Sequence, residues 1–338
     1  MEQTIKVSVL MLTYNQEAYV DEAIRSVVLQ DTRFDFELII ADDASSDGTC
    51  ERCRQWQARF PQRVRLLSGA SNVGLARNFI RCFEAARGTY IAICEGDDFW
   101  CDRHKLQRQV DFLDTHPAYS ACFHQVVNYY EADGSKSLSG RYGKEAVTLR
   151  DLALCNPITN VSICYRRALI PSLPTWMDQV TSYDFVMHCL CAVHGDIYFM
   201  PRAMAVYRKL PTSIWTGANK EKRAMISRKN RDLLIAYFQT RDAEVCTLLR
   251  TANARNCLDI AYYYAMQKEE DKVATWKQQA LTYRDDWSAE DVAREYAALG
   301  MAQRSKSICR SMLTRIRQLV SRCLPLPRIR STQKFSDQ

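Results

Sequence analysis

No run of apolar residues in this chain approaches the roughly 18 that a membrane-spanning helix requires. No secretory leader is expected either. Val7 to Leu12 is too short for its apolar core, and polar Thr13, Asn15, Gln16 and Glu17 follow directly. These absences lead us to expect a cytoplasmic protein. A second Cys-x-x-Cys is also lacking. The chain has fourteen cysteines but one such spacing, Cys50 to Cys53, which leaves a zinc site without half its ligands. Cys94, Cys122, Cys164, Cys189 and Cys191 lie in apolar segments and read as reduced core residues.

What is present is ordinary for a globular protein of 338 residues: 47% hydrophobic and 25% charged. That length can bury a sizeable core in one large or two modest domains. The net charge of +7 is local. Residues 303–338 hold nine basic side chains against Asp337, so the remainder is near neutral. A basic end of this kind argues against a chain built throughout for nucleic acid. Within it, Arg304 to Cys323 sets Ile308, Met312, Ile316, Leu319 and Val320 on one helical face among arginines. Two readings stand: a helix lying on an anionic membrane surface at the inner face of the membrane, or a docking helix with a solvated basic face.

The first ninety-five residues alternate strand and helix four times. The strands are Lys6 to Leu12, Phe36 to Ala41, Val64 to Leu67 and Tyr90 to Cys94. This pattern predicts an α/β fold with a doubly wound, mainly parallel sheet. Further on, a helix is expected from Arg103 to Thr115 and strands at Ala118 to Asn128, Val161 to Tyr165, Ile197 to Met200 and Met204 to Tyr207. A helix opens at Ser182-Tyr183-Asp184. From Lys220 the pattern is wholly helical, and Ser288 reads as an N-cap. The expected organisation is an α/β domain over 1–218, an all-helical appendage over 219–302, and a basic helix with a flexible tail over 303–338.

Three strands end in polar clusters: Thr13-Tyr14-Asn15, Asp42-Asp43 and Glu95-Gly96-Asp97-Asp98. Ligands of such sheets bind beyond the carboxyl ends of the strands. Glu95, Asp97 and Asp98 crowd three carboxylates at one strand tip, which is costly without a positive partner. A divalent cation such as Mg²⁺ or Mn²⁺ answers that need with positions left for phosphate oxygens. The simpler alternative is a solvated turn before a helix.

Taken in order, Val7 to Asn15, Ile39 to Thr49, Asn72-Val73-Gly74-Leu75-Ala76-Arg77-Asn78 and Glu95-Gly96-Asp97-Asp98 resemble the family 2 glycosyltransferases, which have the glycosyltransferase-A fold. The likeness covers residues 5–215. It implies that Thr13, Tyr14 and Asn15 line a nucleoside pocket, that Asp42 and Asp43 hold base and ribose, and that Arg77 touches the nucleotide. Glu95 and Asp97 fill the family's metal-binding Asp-x-Asp signature, with Glu first, and Asp98 follows. Asp184 matches the general base. Arg77 as a surface ion-pair partner and Asp184 as a plain helix start are the alternatives. One departure stands out: Leu210 occupies the place of a histidine that many relatives carry after Tyr207-Arg208. Either the metal is then held more weakly, or Arg208, Lys209 or Ser213 holds the phosphates instead.

The expected activity is therefore inverting transfer of a sugar from a nucleotide donor, a UDP-sugar, to a glycan or lipid-linked acceptor in cell-surface polysaccharide synthesis. Two rivals remain open. One is a scaffold that binds nucleotide-sugar without turnover. The other is a sugar nucleotidyltransferase, which would carry a glycine-rich basic loop where this chain has Thr13-Tyr14-Asn15-Gln16-Glu17.

Overall fold

The computed structural model describes residues 4–299, apart from 141, 214 and 216. The chain divides into two compact units after Asn256.

The first unit begins with β1 (Val7–Thr13), α1 (Val20–Val28), β2 (Phe36–Asp42), α2 (Thr49–Arg59), β3 (Val64–Ser68), α3 (Leu75–Glu84) and β4 (Tyr90–Ile93). These four strands pair in parallel in the order β3-β2-β1-β4. Their side chains alternate between two cores, as a period of two requires. Leu10, Leu12, Ile39 and Ala41 pack with Phe79 and Phe83 of α3. Val9, Met11, Leu38 and Ile40 pack with Val20, Ile24 and Val27 of α1 on the other face. Both faces being covered explains why β1 and β2 are buried at every position. Each large apolar side chain buried this way contributes about 1.5–3 kcal/mol.

The sheet continues with β5 (Phe99–Trp100), α4 (Lys105–Thr115), β6 (Ala121–Tyr130), β7 (Lys136–Leu138), β8 (Ala146–Val147), α5 (Leu149–Leu154), β9 (Cys164–Arg166), α6 (Tyr183–Ala192) and β10 (Ile197–Lys209). The strand order runs on from β4 through β9, β6 and β10 to β5. Here β9 is antiparallel to both neighbours while β6 and β10 are parallel, so the second half is mixed. Three local expectations change. The two strands foreseen between Ile197 and Tyr207 are one, β10, with register shifts on either side of Ala203 and Pro201 between them. Asn160–Ser162 is a 3₁₀ turn, and β9 starts only at Cys164. Phe99–Trp100, where no strand is expected, pairs with β10.

The helical run begins with α7 (Lys220–Phe238) and α8 (Ala243–Ala265). The expected boundary at 218 does not mark a packing division. Leu234, Ile235 and Phe238 of α7 are buried in the core that holds α3 and α6. A change of periodicity reports where helices start, whereas the unit boundary is set by what those helices bury against.

The second unit, from Cys257, holds the end of α8, then α9 (Glu270–Tyr283), and residues 289–299 are helical. Ser288 caps that last helix as expected: its Oγ accepts from Asp291 N at 3.2 Å, and its own N–H donates to Asp291 Oδ2 at 2.9 Å. Among the described residues no helix is long and apolar enough to cross a membrane. The basic segment 304–323 lies outside the described residues.

Candidate active site

The parallel register sets Thr13 beside Asp42, and Cys94 N donates to Leu10 O, so the three polar strand ends meet at one edge. They open onto a cleft of about 1040 Å³ within the first unit. Its walls include Thr13, Tyr14, Asn15, Asp43, Glu95, Asp97, Asp98, Asp184 and Arg208. Segments that are 170 residues apart along the chain are thus gathered by sheet topology.

Two loops make the floor. Asn15 has a left-handed φ of 53° and Ala44 one of 58°. Asn15 N donates to Ser45 Oγ at 2.9 Å, and its Oδ1 accepts from Ser46 N at 2.8 Å. Asp43 binds the third loop, accepting from Val73 N at 2.8 Å and Gly74 N at 2.9 Å. Gly74 itself has φ +85°, which a glycine takes without steric cost. Gly96 is needed for space: a Cβ there would lie 2.3 Å from Gln16 Oε1 and 2.6 Å from Thr13 Cγ2.

The carboxylates differ in their surroundings. Glu95 Oε1 accepts from Asn160 Nδ2 at 2.9 Å and from the Tyr183 hydroxyl. Burial pushes the Glu95 carboxyl up to about 8, and Asp97 and Asp184 add to the rise against the Tyr183 and Asn160 bonds. Asp98 is 2% exposed and accepts from Arg208 N at 2.8 Å. Burial, then the charge of Asp97, raise the Asp98 carboxyl well above its ordinary range. Burial raises Asp97 too, opposed by Arg208. Arg208 lies between the rings of Tyr19 and Phe99, with centroids at 5.1 and 4.8 Å, donates to Asp97 O at 2.9 Å and pairs with Glu22. This is a fixed cation beside a row of acids that resist ionising together.

Asp184 sits in the first turn of α6, where its carboxylate accepts from Ser182 Oγ. The turn before it is clamped by α7: Asn230 Oδ1 accepts from Thr181 N at 2.9 Å, and Asn230 Nδ2 donates to Ser182 O at 2.7 Å.

Two expected nucleotide contacts lie elsewhere. Arg77 is outside the cleft lining, 66% exposed at its side chain and 3.6 Å from Asp178, the surface ion-pair geometry. The reason is helical phase: α3 buries Ala76, Asn78, Phe79, Cys82 and Phe83, which turns position 77 outward. Asp42 lies behind the lining. Its carboxylate accepts from Thr13 Oγ1 at 3.2 Å, Ser45 Oγ at 2.6 Å and Ser45 N at 3.1 Å, so it shapes the floor. Leu210 lines the cleft and offers no ligand atom. Sequence reasoning missed Asn160, Glu22 and Asn230, and took Tyr183 only as a helix start.

Among the described residues no three acidic, histidine or cysteine side chains converge as a closed metal cage. The donor set still suits Mg²⁺ or Mn²⁺. Such ions bind through one or two carboxylates and complete their shell with water and substrate phosphates. Buried acids whose ionisation is resisted are the groups a cation would favour.

Residues 8–169 match the model of glycosyl transferase family 2. An uncharacterized protein of Mycobacterium tuberculosis (strain ATCC 25618 / H37Rv) is 40% identical over 221 residues, covering 64% of this chain and 62% of that one. This chain therefore spans less than two thirds of that relative's length. TuaG of Bacillus subtilis (strain 168), assigned to teichuronic acid biosynthesis as a glycosyltransferase, is 28% identical over 226 residues, 63% of this chain and 84% of its own. The crystal structure of S. aureus TarS with UDP-GlcNAc superposes with a TM-score of 0.55 at 18% identity, over 84% of this chain and 93% of that chain. Residues 8–169 thus carry the likeness to glycosyl transferase family 2, and the fold is the glycosyltransferase-A fold.

Proposed function

We propose that the protein transfers a sugar from a nucleotide donor, a UDP-sugar, to a hydroxyl of a glycan or lipid-linked acceptor, with inversion at the anomeric carbon. The observation that carries this reading is the meeting of Glu95, Asp97 and Asp184 in one cleft with the ends of β1 and β2. The TarS complex with UDP-GlcNAc supports the donor class, and the likeness to TuaG supports a role in cell-surface polysaccharide synthesis.

Thr13, Tyr14, Asn15 and Asp43 bind the nucleoside in this reading. Asp43 is well fitted to that task, because its side chain already fixes the 73–74 turn at the rim. Arg208 faces the diphosphate, pre-oriented by Glu22 and two aromatic rings, so little ordering is left for binding. Asp97 and Glu95 are the residues that would hold Mg²⁺ or Mn²⁺, which would supply Lewis-acid stabilisation of the leaving diphosphate. Asp184 accepts the acceptor hydroxyl's proton as attack begins, an effect worth about 10²–10⁴-fold. The clamp by Asn230 and the cap by Ser182 hold that carboxylate on a rigid helix end.

The test is calorimetric titration with UDP, GDP and CDP, each with and without Mn²⁺. Mn²⁺-dependent UDP binding that is lost in Asp97→Ala is expected. A folded protein that binds UDP but releases none from a UDP-sugar with Mn²⁺ would instead be a scaffold, and Leu210 in the cleft wall is the feature that favours this second reading.

A further inference from the structure

Arg231, on α7, is 9% exposed and lines the cleft. Its Nε and Nη1 are buried and have no hydrogen-bond partner. The guanidinium lies 5.5 Å from the ring of Phe185, the residue after Asp184. It therefore stands beside the helix that presents the candidate base. The adjacent acid, Asp232, acts on the charge of Arg231 without a hydrogen bond to its Nε or Nη1, and its Oδ1 accepts from Asn253 Nδ2 at 2.9 Å.

A guanidinium keeps its proton inside a protein. A buried charge without a partner is strongly unfavourable, and the usual relief is an opposite charge with matching donors and acceptors. The cleft's other cations are already placed. Arg208 is held by Glu22 and the Asp97 carbonyl, and Lys209 Nζ lies 3.9 Å from the Tyr207 ring centroid, with Asp98 acting on its charge. Arg231 is the cation on the α7 wall, with donors to spare and an aromatic ring beside it.

We propose that Arg231 forms an anion-binding acceptor subsite, so that the acceptor saccharide carries an oxyanion, a carboxylate or a phosphate, that this guanidinium binds. The proposal rests on the glycosyltransferase reading, because that reading puts the acceptor next to Asp184. Planar oxyanion recognition is what a guanidinium does best. Binding there would convert the cost of a buried cation into acceptor selectivity, since a neutral sugar would leave the charge unmet.

The experiment uses the full chain with UDP and Mn²⁺ present and three probes: methyl β-glucuronoside, glucose 1-phosphate and methyl β-glucoside. Affinities are read by NMR titration. At least a tenfold preference for one anionic probe over the neutral glucoside is expected. It should vanish in Arg231→Gln and survive in part in Arg231→Lys. Preference for the glucuronoside would assign a uronic acid acceptor, and preference for glucose 1-phosphate a phosphate-bearing one. Equal affinity for all three probes, or a preference that persists in Arg231→Gln, would overturn the proposal. Should Arg231→Gln fail to fold, the wild-type Arg231 Nε–H resonance, assigned by its absence in Arg231→Lys, gives the answer: it shifts with an anionic probe and not with the glucoside, or the proposal fails. UDP binding is measured first and separately. Its absence would count against the glycosyltransferase reading, whereas UDP binding without anion preference would count against Arg231 alone.

Discussion

The hydroxyl of Tyr183 donates to Glu95 Oε1, tying the residue before the candidate base to the carboxylate that follows β4. Tyr183 is 3% exposed and its ring stacks on Phe79 with centroids 3.9 Å apart, so the hydroxyl has little freedom to go elsewhere. Asn160 Nδ2 donates to both Glu95 Oε1 and the Tyr183 oxygen, at 2.9 and 2.8 Å, closing a three-member network. One acid is thus positioned by the helix that carries the other.

Replacing Tyr183 with Phe keeps the stacked ring and removes one bond to Glu95. A hydrogen bond to a charged group is worth about 1.5–3 kcal/mol, so metal-dependent turnover should fall by about 10- to 100-fold. Release of UDP from a UDP-sugar, measured across Mn²⁺ concentrations, checks this. An unchanged Mn²⁺ dependence would separate Tyr183 from the metal-binding acids.

Asn230 makes a different kind of prediction, since it touches the turn at Thr181 and Ser182 and not Asp184 itself. It is 1% exposed, and Asn230→Ala leaves Thr181 N and Ser182 O, on a half-buried turn, without these partners. The loss should be about 1–3 kcal/mol of stability by denaturant unfolding. A lower kcat with an unchanged donor Kd should accompany it, because the base is displaced while the nucleoside floor is not. Equal losses in both would mark Asn230 as a structural residue only.

The parallel half of this fold was legible because it is written in two independent signals. Val7–Thr13 and Phe36–Asp42 are apolar runs, interrupted by Ser8 and Glu37, that stop at polar residues, and the amphipathic α1 and α3 lie between the strands. The stops became the cleft edge. The second half carries no such signal: β9 is three residues long, and its place between β4 and β6 is set by pairing across the chain. Contacts such as Arg208 with Glu22, or Asn160 with Glu95, join residues far apart with no shared period, so nothing local announces them. Arg77 is the instructive case. The burial phase of α3, Ala76, Phe79 and Phe83, was readable from the sequence and turns position 77 to solvent, against what the motif implied.

Below the sheet's other end, Glu37 is 2% exposed and accepts from Ser8 Oγ at 2.7 Å and from Arg87 N at 3.0 Å and Nη2 at 2.8 Å. Burial alone would raise this carboxyl, but the bonds from Arg87 and Ser8 outweigh it and hold it below its ordinary value of 4.5. A carboxyl lowered in the folded state stabilises the fold above its unfolded pKa. That contribution is lost as pH falls through the lowered folded value. Glu37→Gln should therefore cost about 1.5–3 kcal/mol at pH 7 and progressively less below pH 4.5, as read by urea unfolding at several pH values. A pH-independent difference would show that the charge is not what matters.

Asp184→Asn is the sharpest test of the chemistry. The amide keeps the size of the side chain and its place in the first turn of α6, and it can still accept from Ser182 Oγ. It cannot take a proton from an attacking hydroxyl at neutral pH. Transfer to acceptor should fall about 10²–10⁴-fold, while UDP affinity in the presence of Mn²⁺ stays within about twofold, because the nucleoside floor is built by β1, β2 and their loops. The two readouts discriminate between roles. A parallel loss of UDP binding would mean that Asp184 serves the donor and not the acceptor. Unchanged transfer would remove it from the mechanism and return Asp184 to the simpler role of a negative charge at a helix N-terminus.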